Sequence, residues 1–381
     1  MNRRKKLGLY IHIPFCTKKC PYCDFYSICD LTMTGRYLSA LIKQIEEYGR
    51  ATGGYEADTV YFGGGTPSLL SKKQWKILLE AVNKNFNISQ TAEVTVEVNP
   101  ASADLKLLKH LRKSGVNRLS IGVQSFDNSE LATLGRLHSA SDAREILSDA
   151  KKAKFNNISI DLMYGVPGQT IESFAASLDE AVKSGITHLS AYGLKIEPNT
   201  PFGQREAELD LPDEDIWCEM YELLVNAANS AGLAQYEVSN FAKPQFESRH
   251  NMKYWTLDEY LGLGPAAHSY LGNRRFAFVR DVFAYCEAFE GSEDVQLLSE
   301  DSEAPASGAV ADYIMLSLRL VSGLSSKEFT RRFRRSFEEL AGNKLEKYIA
   351  GGFMTNDDGV YRFTTAGFCV SNTILAQLID F

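Results

Sequence analysis

The chain lacks any run approaching the roughly 18 apolar residues that a membrane helix needs, which excludes a helical membrane span. It also lacks a surplus of positive charge. Acidic residues number 48 against 41 basic ones, for a formal net charge of -7, so the broad basic footprint of a nucleic-acid binder is missing. Signs of extended disorder are absent, and 44% apolar with 23% charged residues is the balance of a folded globular chain. Seven cysteines form an odd set, which fits reduced thiols in the cytoplasm better than a disulfide framework. The basic start Met1-Asn2-Arg3-Arg4-Lys5-Lys6 has the charge of a secretory n-region, but His12, Pro14 and the cysteines interrupt any apolar h-region and no small-residue cleavage site follows. A cytoplasmic location follows as the expectation, with at most peripheral membrane association.

What is present is an alternation of short β-branched runs with amphipathic helical stretches from residue 7 to about 200, the pattern of repeated βα units around a parallel sheet. Strands are predicted at Leu7 to Ile13, Asp58 to Phe62, Glu93 to Val98, Arg118 to Val123, Ile158 to Met163 and His188 to Ile196. About six units are too few for a closed eight-stranded barrel, so the expected fold is α/β, a partial, open TIM-like barrel. Beyond Pro198 the pattern predicts a helix over Asp213 to Ala231, a short strand near Tyr236 and a loop-rich stretch from Asn240 to Gly272. Ser299 to Gly308 reads as a linker, and the helical patterns after it, with a hairpin through Asp357-Asp358-Gly359, predict a small winged-helix-like domain. The expected division is a barrel over 1–240, a connecting region over 241–298 and the small domain over 299–381. Arg331-Arg332-Phe333-Arg334-Arg335 invites nucleic-acid binding, but Glu338, Glu339 and the acidic whole favour a solvated helix face.

Three cysteines stand within eight residues just after the first strand, as Cys16-Thr17-Lys18-Lys19-Cys20-Pro21-Tyr22-Cys23. Thiolates at this spacing can hold three irons of a 4Fe-4S cubane and leave the fourth iron open to a small molecule. A structural zinc site wants four closed ligands, and a redox dithiol wants only two cysteines. Glycine and polar residues cluster after other strands on the same edge, where barrel-like enzymes carry their sites. Gly63-Gly64-Gly65-Thr66-Pro67 is either a structural turn or a cradle in which peptide groups meet a ligand; it has neither the Gly-Lys-Ser/Thr of a nucleotide loop nor a dinucleotide fingerprint. Glu97 should face away from Val94, Val96 and Val98, where a carboxylate could grip ribose hydroxyls. Asp161 lies inside an apolar strand and needs a partner, for which Arg136 is the obvious candidate. Cys29 reads as a spare thiol, and Cys218, Cys286 and Cys369 as isolated small core residues.

Cys16-x3-Cys20-x2-Cys23 preceded by Tyr10-Ile11-His12-Ile13-Pro14-Phe15, with Gly63 to Pro67 and Val96-Glu97-Val98-Asn99-Pro100 downstream, resembles the radical S-adenosylmethionine enzymes, in their coproporphyrinogen oxidase-like branch. The resemblance covers nearly the whole chain. It implies a 4Fe-4S cluster on Cys16, Cys20 and Cys23, whose open iron chelates S-adenosylmethionine for one-electron cleavage to a 5'-deoxyadenosyl radical. By match to the same motifs, Tyr10, Gly64, Gly65, Thr66, Glu97, Gln124, Arg136 and Asp161 would surround S-adenosylmethionine, with a flavodoxin or ferredoxin as electron donor.

Two groups of this branch differ in task. One is the oxygen-independent coproporphyrinogen III oxidases, which decarboxylate porphyrinogen propionates to vinyls; the other is the HemW-type haem chaperones, which pass haem to respiratory acceptor proteins. The oxidase pattern has a further cysteine two positions after the third ligand and an N-terminal extension, whereas here Phe25 follows Cys23-Asp24 and the first strand starts within ten residues of Met1. His250-Asn251-Met252-Lys253-Tyr254-Trp255 matches a motif of the chaperone group. The resemblance therefore favours a haem chaperone, with the oxidase as alternative and enzymatic activity left open. On that reading His250 contacts haem, since imidazole is a common axial ligand, and His268 is a second candidate for porphyrin contact. The bland reading of His250 is a core residue beneath the sheet.

Overall fold

The structure, a computed structural model, describes residues 4–291, 296–303 and 306–380. Six parallel strands follow one another in chain order: β1 (Lys5–Ile13), β2 (Tyr55–Gly64), β3 (Ile88–Val98), β4 (Arg118–Gln124), β5 (Asn157–Tyr164) and β6 (His188–Gly193). Each crossover carries a helix. The helices start where the sequence supplies an N-cap, as at Ser71, Ser139 and Thr170, whose capping boxes satisfy otherwise orphaned N–H groups. Along β1, Leu7, Leu9, Ile11 and Ile13 are at most 1% exposed against the helices, so the alternate residues Gly8, Tyr10 and His12 line the barrel interior.

The six predicted strands are present, and further strands extend the sheet at both edges. Beyond β6 lie antiparallel β8 (Asn240–Ala242) and β7 (Ala234–Glu237). Beside β1 lies β9 (Tyr260–Leu263), parallel to it, followed by antiparallel β10 (His268–Leu271), β11 (Arg274–Phe278) and β12 (Leu298–Glu303). The order β12-β11-β10-β9-β1-β2-β3-β4-β5-β6-β8-β7 does not close, so the barrel is open. The stretch expected to be loop-rich, Asn240 to Gly272, thus supplies three strands and the helix Arg249–Thr256. Its short strands fell below the length at which alternation is legible. The linker expected at Ser299 to Gly308 is corrected in the same way: its first half is the edge strand β12, paired with β11, while residues 304 and 305 lie outside the described residues.

The C-terminal unit packs helices Ala306–Leu318, Ser326–Phe333, Phe337–Ala341 and Lys344–Ala350 around a small sheet, in the order β13 (Leu324–Ser325), β15 (Val360–Phe363), β14 (Met354–Asp357). The predicted hairpin turns through Asp358 and Gly359, both at positive φ, which matches the twist of the flanking strands. The unit is tied to β7 by Val238 N–H donating to Arg319 O and Val321 N–H to Tyr236 O. Cys218 and Cys369, expected to be isolated, are neighbours: burial and the nearby Cys218 raise the Cys369 thiol. Arg331 pairs with Glu328 on an exposed surface.

Candidate functional site

The cysteine loop leaves β1 and is pinched at its neck. Cys16 N–H donates to Ile28 O at 3.0 Å and Ile28 N–H to Pro14 O at 2.8 Å, and Phe15 is buried edge-on against Tyr37. Between these anchors the thiols of Cys16, Cys20 and Cys23 remain partly accessible. Among the described residues no three His, Cys, Asp or Glu side chains close around a single ion. A cubane asks for a wider set, one thiolate for each of three irons.

The glycine loop is fixed directly against this neck. Gly65 N–H donates to Ile13 O at 2.9 Å, Thr66 N–H to Phe15 O at 2.7 Å, and the Thr66 hydroxyl to Cys16 Sγ at 3.5 Å. A Cβ on Gly65 would lie 2.7 Å from Phe15 O and 2.8 Å from Ile13 O, so only glycine permits this approach. Gly64 takes φ +109° over the His12 ring, a second position that requires glycine.

Glu97, at the carboxyl end of β3, accepts the Tyr61 hydroxyl at 2.9 Å and Gly64 N–H at 3.1 Å. Burial pushes its carboxyl up to about 7, against the pull of those two donors. Gln124 closes β4 at φ +66°. Arg136 lies over the same strand end: Nη2 donates to Gly122 O at 2.9 Å, Nη1 stands 3.8 Å from Cys20 Sγ, and its buried Nε has no partner. Asp161 instead accepts from Ser120 Oγ at 3.0 Å and Ser159 Oγ at 3.4 Å, so the expected Arg136–Asp161 pair is not formed. Two serines on neighbouring strands do that work, and burial still raises the carboxyl. Tyr10 donates toward His12 or accepts from it at 3.0 Å and stacks on Tyr61.

The predicted residues Cys16, Cys20, Cys23, Tyr10, Gly64, Gly65, Thr66, Glu97, Gln124, Arg136 and Asp161 thus gather at the carboxyl ends of β1 to β5. They fit a cluster and an amino-acid-bearing nucleoside: three accessible thiols, a peptide cradle with no side chain in it, a carboxylate with free lone pairs and an unpartnered guanidinium N–H. Sequence reasoning missed Tyr61, Ser120 and Ser159, which hold Glu97 and Asp161. Their signal was the period of two on β2, β4 and β5, which puts them on the inner face.

His250 falls elsewhere. Its helix crosses beneath the strands' amino ends, held there by Arg249 and His250 N–H donating to Glu93 and by Lys253 Nζ 2.9 Å from Asp58 Oδ1. The ring is 1% exposed, Nδ1 bonds Thr59 Oγ1 at 2.8 Å and Nε2 bonds Tyr254 OH at 2.8 Å, and the face stacks on Tyr61. Burial lowers its pKa to about 3. An axial ligand needs a nitrogen lone pair open to a cavity; here both His250 nitrogens are engaged and the ring is buried, the arrangement of a core histidine.

The chain matches the family model described as the Radical SAM superfamily over residues 10–181 and that of the HemN C-terminal domain over residues 309–370. It is 35% identical over 380 residues to the heme chaperone HemW of Lactococcus lactis subsp. lactis, covering 99% of this chain and 98% of the relative. The heme chaperone HemW of Bacillus subtilis is also 35% identical, over 97% of this chain and 98% of its own, and that of Escherichia coli is 32% identical over 98% of each. Among solved structures, the coproporphyrinogen III oxidase HemN from Escherichia coli, titled a radical SAM enzyme, superposes with a TM-score of 0.85 at 24% identity, covering 99% of this chain and 90% of that one. That likeness establishes the shared fold.

Proposed function

Because this chain belongs to the HemW family of heme chaperones within the radical SAM superfamily, we propose that it binds haem and hands it to acceptor proteins, respiratory ones among them, with a 4Fe-4S cluster and S-adenosylmethionine at the carboxyl end of its barrel. Cys16, Cys20 and Cys23 hold the cluster. Tyr10, Gly64, Gly65, Thr66, Glu97, Gln124, Arg136 and Asp161 surround S-adenosylmethionine, the glycine loop by its peptide groups and Glu97 and Asp161 by their carboxylates. When bound, the pair supplies one-electron cleavage of a sulfonium, with the electron from a flavodoxin or ferredoxin. The chain's own work is to keep the thiols accessible, to set Thr66 and Arg136 against two of them and to keep the cradle free of side chains.

The observation that carries the chaperone over the oxidase is Phe25. It stands 70% exposed at the position where the oxidase pattern has a cysteine, and it lines a cavity beside the cofactor pocket. The complete cofactor site favours the second reading, radical decarboxylation of coproporphyrinogen III. The two separate in one experiment: cluster-loaded protein incubated anaerobically with coproporphyrinogen III, S-adenosylmethionine and reductant is expected to give no vinyl product, while the same preparation binds haem and loses it to an apo-cytochrome. Stoichiometric protoporphyrinogen would make it an oxidase. No helix among the described residues is long and apolar enough to cross a membrane, and we place the protein in the cytoplasm.

A further inference from the structure

A cavity of about 450 Å³ opens between β1 and the added edge strands β9 to β11, and Tyr10, one of the candidate S-adenosylmethionine residues, is part of its wall. Its walls are rings: Tyr26, Tyr254, Tyr260 and Phe278, with Phe25 at the exposed rim. Flat aromatic walls suit a macrocycle, which gains apolar burial and stacking from them. Two imidazoles line the space. His12 is spent, since Nδ1 meets Tyr10 OH at 3.0 Å, Nε2 meets Tyr26 O at 2.9 Å, and burial lowers its pKa to about 4.

His268 on β10 is different. Its side chain is 62% exposed, its Nδ1 lies 3.8 Å from Glu300 Oε2, and Nε2 makes no hydrogen bond among the described residues. With Glu300 on the Nδ1 side, Nε2 is the ring nitrogen left without a partner, the arrangement that suits an imidazole ligand to iron. On the same rim, Arg280 rests its Nη2 on Asp24 O at 2.5 Å and 3.6 Å from Asp24 Oδ1, more than half exposed, with donors left for carboxylates. The haem-binding reading above left the iron without a ligand once His250 was found occupied. Resting on that reading, we infer that haem docks in this cavity with His268 Nε2 on its iron, Arg280 on its propionates and the aromatic walls on its faces. His250 touches two walls of the cavity, stacking on Tyr10 at 6.4 Å and hydrogen-bonding Tyr254, and so acts as a positioning residue.

The test is a haem titration of the full-length, cluster-loaded chain, read by the Soret band and by the iron–imidazole stretch in resonance Raman. His268→Ala is expected to lose the imidazole signature and to weaken haem binding at least about tenfold, while metal-free protoporphyrin binds as before and added imidazole restores the signature. Because His268 is an exposed side chain, circular dichroism and cluster content should match the parent. His250→Ala keeps the imidazole signature. Arg280→Ala loses the preference for haem over its dimethyl ester. A His268→Ala protein that keeps both signature and affinity overturns this site but leaves the chaperone reading standing; a parent protein that binds no haem overturns both.

Discussion

Glu97 shows how one carboxylate can serve the cradle and record its environment. Its ordinary value of 4.5 rises to about 7, because burial outweighs the two hydrogen bonds it accepts. Between those values the unfolded carboxyl is ionised while the folded one keeps its proton. The associated stability is complete below pH 4.5 and is lost as pH rises toward 7. Glu97→Gln should therefore lose less stability than the parent between pH 4.5 and 7, as read by denaturant midpoints at the two values. Identical slopes in the two proteins would show that Glu97 is not the titrating group. In the same variant the amide oxygen can accept Gly64 N–H while the amide nitrogen donates to Tyr61 OH, so the cradle should keep its shape and weaker S-adenosylmethionine binding would report the lost carboxylate acceptors. Cys20→Ala, by contrast, should abolish cluster loading; iron–sulfur absorbance retained in that variant would remove Cys20 from the ligand set.

At the scale of elements, the glycine loop and the Arg249–Thr256 helix make opposite predictions. Gly65→Ala puts a methyl 2.7–2.8 Å from two carbonyl oxygens of the cysteine-loop neck. The loops must part, so iron and sulfide content should fall several-fold while far-UV circular dichroism is unchanged. His250→Ala leaves Thr59 and Tyr254 hydroxyls without their partner and opens a void under Tyr61. That costs about 2–4 kcal/mol, visible as a lower thermal midpoint, with cluster loading intact. A His250→Ala protein as stable as the parent would contradict the core role.

For the whole molecule, buried titratable groups set the response to acid. His12 and His138 are lowered from 6.5 to about 4, His250 to about 3 and His188 well below, each mainly by burial. The unfolded chain takes up these protons first, so this part of the stability is present above pH 6.5 and is lost as pH falls. Glu97 and Glu237, both raised to about 7 by burial, work in the opposite sense between pH 4.5 and 7. The two sets partly cancel in that range. Below pH 4.5 these glutamates carry protons in both states and no longer compensate, while Glu56, Glu290 and Glu328, lowered by their cationic partners, add to the loss. The urea midpoint should therefore vary shallowly from pH 6.5 to 4.5 and fall steeply below; a uniform slope through pH 4.5 would contradict this balance.

The cysteine spacing, the glycine loop, the six strands and Glu97 were legible from the chain because each is encoded locally, by spacing, by conformational freedom or by a period of two. Family resemblance, rather than strand position alone, singled out the eleven candidate residues that the fold gathers at that edge. The partners were not legible. That Asp161 is held by Ser120 and Ser159 rather than Arg136, that His250 is stoppered by Thr59 and Tyr254, and that His268 shares a cavity with Phe25 all depend on strand register and on edge strands too short to announce themselves. The sequence by itself determined which groups can do chemistry, since that is a property of side chains and their spacing. Only the tertiary structure decided which of their lone pairs and protons are already spent, because hydrogen-bond partners in a folded sheet come from residues far apart in the chain.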